Sequence, residues 1–341
     1  MASVSKHKRK LYGEIMFKYI VNRILLSVLI LFVVSLLMYT LLRLMPGSYV
    51  EQKFTLNPSS EISPERIEQM KELYGLNDSV IVGYFKWVVK ALKGDFGMSF
   101  QFDAPVMEVI GENMWISFLL TLIALLIYYP LGILLGVRAA VKQYSFFDYA
   151  TTVFTMLGIS LPGFFFSAIL IKTFAFDLGW FDTSLGLISS GMLNASEWEL
   201  FWDKAWHLVL PMITVVVLSI GGLMRYTRTN MLEVLTADYI RTARAKGVSE
   251  RSVIYKHAFK NTMIPLVTML AGLLPGLFGG SMIIEQVFAI PGIGLKAYQA
   301  LNAGDIPFVM GYNMFLAVLT VLGMLITDIM YVVVDPRVKL K

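Results

Sequence analysis

Residues 237–265 read ADYIRTARAKGVSERSVIYKHAFKNTMIP. This is the longest polar stretch between two hydrophobic runs in the second half of the chain, and the reading of the rest turns on it. It holds Arg241, Arg244, Lys246, Arg251, Lys256 and Lys260, with Arg228 just upstream. The stretch is nevertheless patterned for structure. Thr236 and Asp238 are candidate caps for a helix beginning near Ala237; Ala243 and Ala245 favour helix, and Gly247 supplies a left-handed residue to end it. Ser249, followed by Glu250, can cap a second helix leading to Pro265, where the next apolar run opens. The expectation is two short helices joined by a glycine turn at a membrane face, a rigid knob suited to a groove on another protein. Retention of positive loops in the cytoplasm accounts for the charge. It does not account for the small residues Thr242, Ala243 and Ala245, or for Gly247, which suit close backbone approach by a partner.

The stretch resembles the EAA loop of type-I ABC importer permeases, the segment that docks into the ATPase subunit. Its form, YIRTARAKGVSER followed by HAFKNTMIP, is similar to the first permease subunit of the oligopeptide/dipeptide importer family. Arg241-Thr242-Ala243 stands where the general pattern has Glu-Ala-Ala, and the interval from Gly247 to Pro265 is longer than in sugar importers. Both features are usual for peptide permeases. The resemblance implies that Asp238, Tyr239, Arg241, Thr242, Ala243, Arg244, Ala245 and Gly247, within a loop spanning 225–264, couple the chain to an ATPase.

Composition sets the class independently. The 341 residues are 57% hydrophobic and 16% charged, with a mean hydropathy of +0.67. A soluble chain carries about 25% charged residues, so this is a polytopic membrane protein; its helix-length apolar runs make the expected fold class all-α. There is no cysteine, hence no disulfide framework, thiolate nucleophile or cysteine-ligated metal. His7, His207 and His257 stand at no metal-ligand spacing.

In chain order, residues 1–23 form a basic tail. Ile24 to Leu42 then run 19 residues without a charge, about 28 Å of helix and enough to cross a bilayer core. The run ends in LLRLMPG, which offers no signal-peptide cleavage site; it reads as a retained first span. Residues 43–113 form a polar, helical external region. Ser63 and Pro64 open one helix that Gly75 closes. Asn77 or Asp78 opens a second, with Val80, Ile81, Tyr84, Phe85, Val88, Val89 and Leu92 in an apolar stripe and Gly94 at its end. That stripe suits either an interfacial helix on lipid or a partner-docking face. Five more spans are expected, at 115–137, 151–171, 208–224, 266–284 and 310–334, within a core of residues 114–335. Residues 336–341 form a second tail.

Spans two to five contain or begin beside Pro130, Pro162, Pro211 and Pro275. Such breaks persist where neighbouring helices or a wet cavity satisfy the freed carbonyls, so Pro130, Pro162 and Pro275 are candidate breaks near a pathway. Gly272-x3-Gly276-x3-Gly280 offers a small-residue face for close packing inside the bundle or at a subunit interface. Even spacing places both termini inside. Inner segments then hold 19 Lys/Arg against 10 outside, and 7 acidic residues against 17. The positive balance follows from topology, which removes nucleic acid as a partner.

No Gly-Lys dipeptide occurs, so no Walker A loop is present. The spans offer only Asp328 as an ionisable group, too little for a proton-coupled carrier. Neither GxSxG nor a carboxylate pair supports an intramembrane hydrolase.

The LMPGS and YGLND turns, GYFKWVVKALKGDFGMSF, APVMEVI, LGWFDTSL, HLVLPMITVV, VFAIPGIG and the ending DPRV extend the resemblance over nearly the whole chain. It implies a type-I ABC importer fold of six transmembrane helices and a bacterial cytoplasmic-membrane location. The implied partners are a homologous second permease, two ABC ATPases, a peptide substrate and an extracytoplasmic peptide-binding protein, which Tyr84, Phe85 and Phe96 are candidates to contact. ATP and magnesium would be held by the ATPases; no cofactor, metal or catalytic residue is expected here. A same-family importer of nickel or another solute, a stand-alone secondary peptide carrier and a membrane-bound enzyme are the competing readings.

Overall fold

A computed structural model describes residues 2–44, 78–183, 185–189, 191–192 and 195–334. The expected helix from Ser63 to Gly75 and the DPRV ending lie outside the described residues. Helix α1 spans Ala2–Leu44, α2 Val80–Ala91, α3 Val106–Val141, α4 Phe146–Ser160 and α5 Gly163–Leu170, which continues as π-helical turns over Ile171–Asp177. Then follow α6 Glu197–His207, α7 Val209–Thr236, α8 Asp238–Ala245 and the short α9 Glu250–Ser252 with π-helical turns Val253–Ala258. Last come α10 Phe259–Gly272, α11 Leu274–Gly279, α12 Met282–Phe288, α13 Ile293–Ala303 and α14 Ile306–Val334. Among the described residues the only strand-like feature is an isolated bridge, Met98 to Pro105.

Among the described residues, four segments are long and apolar enough to cross a membrane: Tyr19–Leu41, Val106–Val141, Glu197–Thr236 and Ile306–Met330. Two bent pairs complete six if each is one span. Phe146–Ser160 meets Gly163–Asp177 at 103°, and Glu250–Leu270 meets Leu274–Phe288 at 43°. The sharper bend has a local cause. The Pro162 ring disfavours helical backbone at the residue before it, and Leu161 is extended, with φ −79° and ψ 127°. Pro275 stands in the first turn of α11, where a missing N–H costs nothing. Pro211 sits likewise in the first turn of α7. Pro130 corrects the expectation of a break at every proline: α3 runs on through it as one helix. A single lost hydrogen bond is absorbed there because the turns on either side remain intact.

The chain falls into two compact units. One comprises residues up to 112 with 297–325; the other comprises 113–296 with the end of α14. In the first, Tyr39, Tyr84, Trp87 and Met310 form the buried cluster. Asp305 anchors α14 by accepting from the Phe308 N–H at 3.1 Å, and its other oxygen accepts from the Gln101 N–H at 3.0 Å and from the Ser99 hydroxyl.

In the second unit, α4 and α7 lie in backbone contact. A Cβ on Gly158 would stand 2.9 Å from the Val217 carbonyl oxygen, and one on Gly221 2.7 Å from that of Thr155. The small-residue approach is therefore made here. Of the expected face, a Cβ on Gly272 or Gly276 would meet no atom within 4 Å in the described chain, whereas one on Gly280 would stand 2.5 Å from a Glu285 carboxylate oxygen.

Candidate coupling site

The polar stretch folds as two helices joined at a glycine, but only the first is short: the second runs on from Glu250 through Pro265 into the following apolar segment, and the capping also differs. Thr236 ends α7 and turns its hydroxyl to the Glu233 carbonyl, 2.9 Å away. Ala237 is the extended junction residue (φ −66°, ψ 148°), and Asp238 opens α8. Ser249 stands at the start of α9 but makes no capping bond. At the far end Gly247 adopts φ +76°. Its N–H donates to the Arg244 carbonyl at 2.9 Å, and that of Val248 to the Ala243 carbonyl at 3.2 Å. These two bonds make a Schellman stop, which requires a left-handed residue at its centre.

Arg244 staples the turn from outside. Its Nε and Nη2 donate to the two carboxylate oxygens of Glu250 at 3.1 and 2.7 Å, and that carboxylate raises the Arg244 guanidinium above its ordinary value.

The eight residues of α8 divide by face. Ile240 is fully buried among Leu125, Tyr129, Ile133, Val137, Met231, Val253 and Leu266, and Ala243 and Val248 pack on the same cluster. Asp238, Tyr239, Arg241, Thr242, Arg244 and Ala245 are exposed, with Arg241 3.7 Å from Asp238. Partial burial raises the Tyr239 phenol, against a hydrogen bond with Asn261 that lowers it. One named coupling residue thus changes place. Ala243 faces the protein's own core, because it lies three residues after Ile240 on the buried side of a helix.

Two further buried polar features are invisible in the linear pattern. Arg228 on α7 forks onto Asp148 on α4, Nε to Oδ1 at 2.6 Å and Nη2 to Oδ2 at 2.8 Å. Asp148 also accepts from the Tyr144 N–H at 3.0 Å and is almost wholly buried. The second is Glu285, one residue beyond the expected fifth span and completely buried. It accepts from the Ser117 hydroxyl at 2.8 Å and from the N–H groups of Ser281 and Leu295 at 2.9 and 3.0 Å. The glycines of the IPGIG run fit this wrap: a Cβ on Gly292 would stand 2.4 Å from a Glu285 oxygen.

The candidate partner-contact residues separate. Tyr84 is 4% exposed, bonded through its hydroxyl to Ser35 at 2.8 Å and edge-on to Tyr39. Phe96 packs on the same cluster, edge-on to Trp87. Phe85 alone points outward, 58% exposed. The one helical stripe seen in the sequence splits in the fold between α1 and the surface.

The described chain thus combines straight and bent helices long and apolar enough to cross a membrane with a short core-anchored polar helix. Residues 132–340 match the family described as binding-protein-dependent transport system inner membrane component, and residues 16–121 match the N-terminal region of such components. The chain is 38% identical to the oligopeptide transport system permease protein AppB of Bacillus subtilis, over 94% of this chain and 99% of that protein. It is 31% identical to the dipeptide transport system permease protein DppB of Alkalihalophilus pseudofirmus, over 95% and 100%. The chain belongs to the binding-protein-dependent transport system inner membrane component family. It is a multi-pass permease subunit of an ABC importer with the type-I membrane fold, and the ATPase is a separate subunit.

Proposed function

We propose that this chain forms half of the membrane pathway of a peptide importer. A homologous permease supplies the other half, and two ATPases engage the outward face of α8 from the cytoplasm. The carrying observation is the division of α8: Ile240 and Ala243 fix one side in the core, leaving Asp238, Tyr239, Arg241, Thr242 and Ala245 as a rigid outward face. ATP and magnesium belong to the ATPases, and an extracytoplasmic binding protein delivers the cargo. The peptide assignment is supported by the shared naming of the relatives. A cytoplasmic location for α8 and both termini is supported by the 19 to 10 partition of Lys/Arg.

The test is reconstitution of the full assembly with its binding protein in vesicles, with a series of labelled peptides and a nickel salt as rival cargo. ATP-dependent peptide accumulation is expected. Nickel uptake without peptide uptake, or peptide uptake that needs no ATP, overturns the reading.

A further inference from the structure

Helix α2 has three sides, and only one is packed against other described residues of the chain. Gly83, Tyr84 and Trp87 are buried. Ile81, Phe85, Val89 and Leu92 form a second stripe, 71%, 58%, 52% and 83% exposed. Their spacing of three and four residues keeps them in register along one face. Lys86, Lys90 and Lys93 form the third side, with Lys86 paired to Asp78 at 2.7 Å.

What covers the open stripe is indicated by where the helix sits. Tyr84 bonds Ser35 and lies edge-on to Phe32, with ring centroids 5.9 Å apart, while Trp87 meets Tyr39. All three partners belong to the apolar run Tyr19–Leu41. Ser35 lies six residues before the end of that run, about 9 Å along the helix axis. The first half of α2 is therefore packed alongside residues of the apolar run of α1. A later turn carries Lys90 and Lys93 on toward the end of the run. An apolar face flanked by lysines is the composition of a helix bound at a lipid surface, the ammonium groups rising to the phosphates.

We propose that α2 is an interfacial helix. Ile81, Phe85, Val89 and Leu92 lie in the acyl chains around the C-terminal half of α1, and Lys90 and Lys93 bind anionic phospholipid headgroups. The occupant of the stripe is lipid, and Phe85 is a membrane residue instead of a binding-protein contact. This rests on the membrane-spanning class alone and not on the cargo.

The absence of cysteine makes the test direct. Single cysteines replacing Ile81, Phe85, Val89, Leu92, Lys90 or Lys93 are spin-labelled in the full assembly, reconstituted in vesicles containing phosphatidylglycerol, with transport checked for each variant. Labels at 81, 85, 89 and 92 are expected to collide mainly with oxygen, whether or not binding protein is added. Those at 90 and 93 should report shallower positions, with more collision with a water-soluble nickel chelate. Collision dominated by the nickel chelate at 85 and 89 overturns the proposal. So does occlusion of these sites from both reagents, which marks a protein contact, or protection that appears only with binding protein. In the second arm, Lys90→Glu with Lys93→Glu should reduce phosphatidylglycerol co-purifying with the complex. Unchanged retention overturns the headgroup assignment.

Discussion

Arg228 and Asp148, eighty residues apart, meet as a two-pronged ion pair at 2.6 and 2.8 Å, with the carboxylate almost fully enclosed. Removing Arg228 leaves the Asp148 carboxylate charged and buried, which costs about 3–5 kcal/mol, whereas removing Asp148 leaves a guanidinium that is one-quarter exposed. Arg228→Met should lower the thermal midpoint of the solubilised protein strongly, and Asp148→Ala less so. The double variant should recover much of the loss, since no unpaired charge remains. Arg228→Lys keeps the charge but loses the fork and should fall between. Additive losses in the double variant would show that the two residues act separately.

Gly247 has open space where a Cβ would stand, yet its φ is +76°. Strain there is purely conformational, about 1–2 kcal/mol for a residue with a side chain. Gly247→Asn should be mild and Gly247→Val severe, read as ATPases co-purifying with the permease and as ATP hydrolysis stimulated by the loaded binding protein.

Ala243→Asp places a charge against the core around Ile240, so it should reduce accumulation of the protein. The cleaner probe of coupling is Ala245→Asp or Arg241→Glu on the exposed face. Either should leave the melting curve in place while ATPase capture falls. Full capture with an unchanged melt would remove α8 as the docking element.

Glu285 satisfies three donors, and each buried donor left alone costs about 1–3 kcal/mol. Glu285→Ala should sharply reduce folded yield and open the 280–295 segment to protease. Glu285→Gln keeps the shape and one acceptor, so its loss should be smaller. Equal behaviour of the two variants would mean that volume, not hydrogen bonding, holds the segment.

Tyr84→Phe removes only the bond to Ser35 and should cost about 0.5–1.5 kcal/mol, with Ser35→Ala giving a similar loss and the pair together little more. Tyr84→Asp, by contrast, buries a charge among rings and should prevent accumulation. Near-normal levels of that variant in a protein melt and on a gel would mean that the ring is not enclosed.

The locally determined features were legible in the chain. Gly247 ends its helix and Pro162 breaks its span because each acts within a turn of itself. Arg228 with Asp148, and Ser117 with Glu285, are separated by 80 and 168 residues, and no period in the sequence links them. The inward turn of Ala243 lay between these cases. Its spacing from Ile240 allows it, but only the core that receives Ile240 shows which face is inner. For the same reason a single apolar stripe on α2 could not be divided in advance between Tyr84 and Phe85.

The backbone contacts of Gly158 and Gly221, with the Asp148–Arg228 pair below them, pin α4 to α7 at several heights. Two rods fastened at more than one point cannot slide or pivot against each other. If α8 is the docking element, a displacement of it would pass to α4 through α7, and the next bend along the chain is the 103° elbow at Leu161 and Pro162.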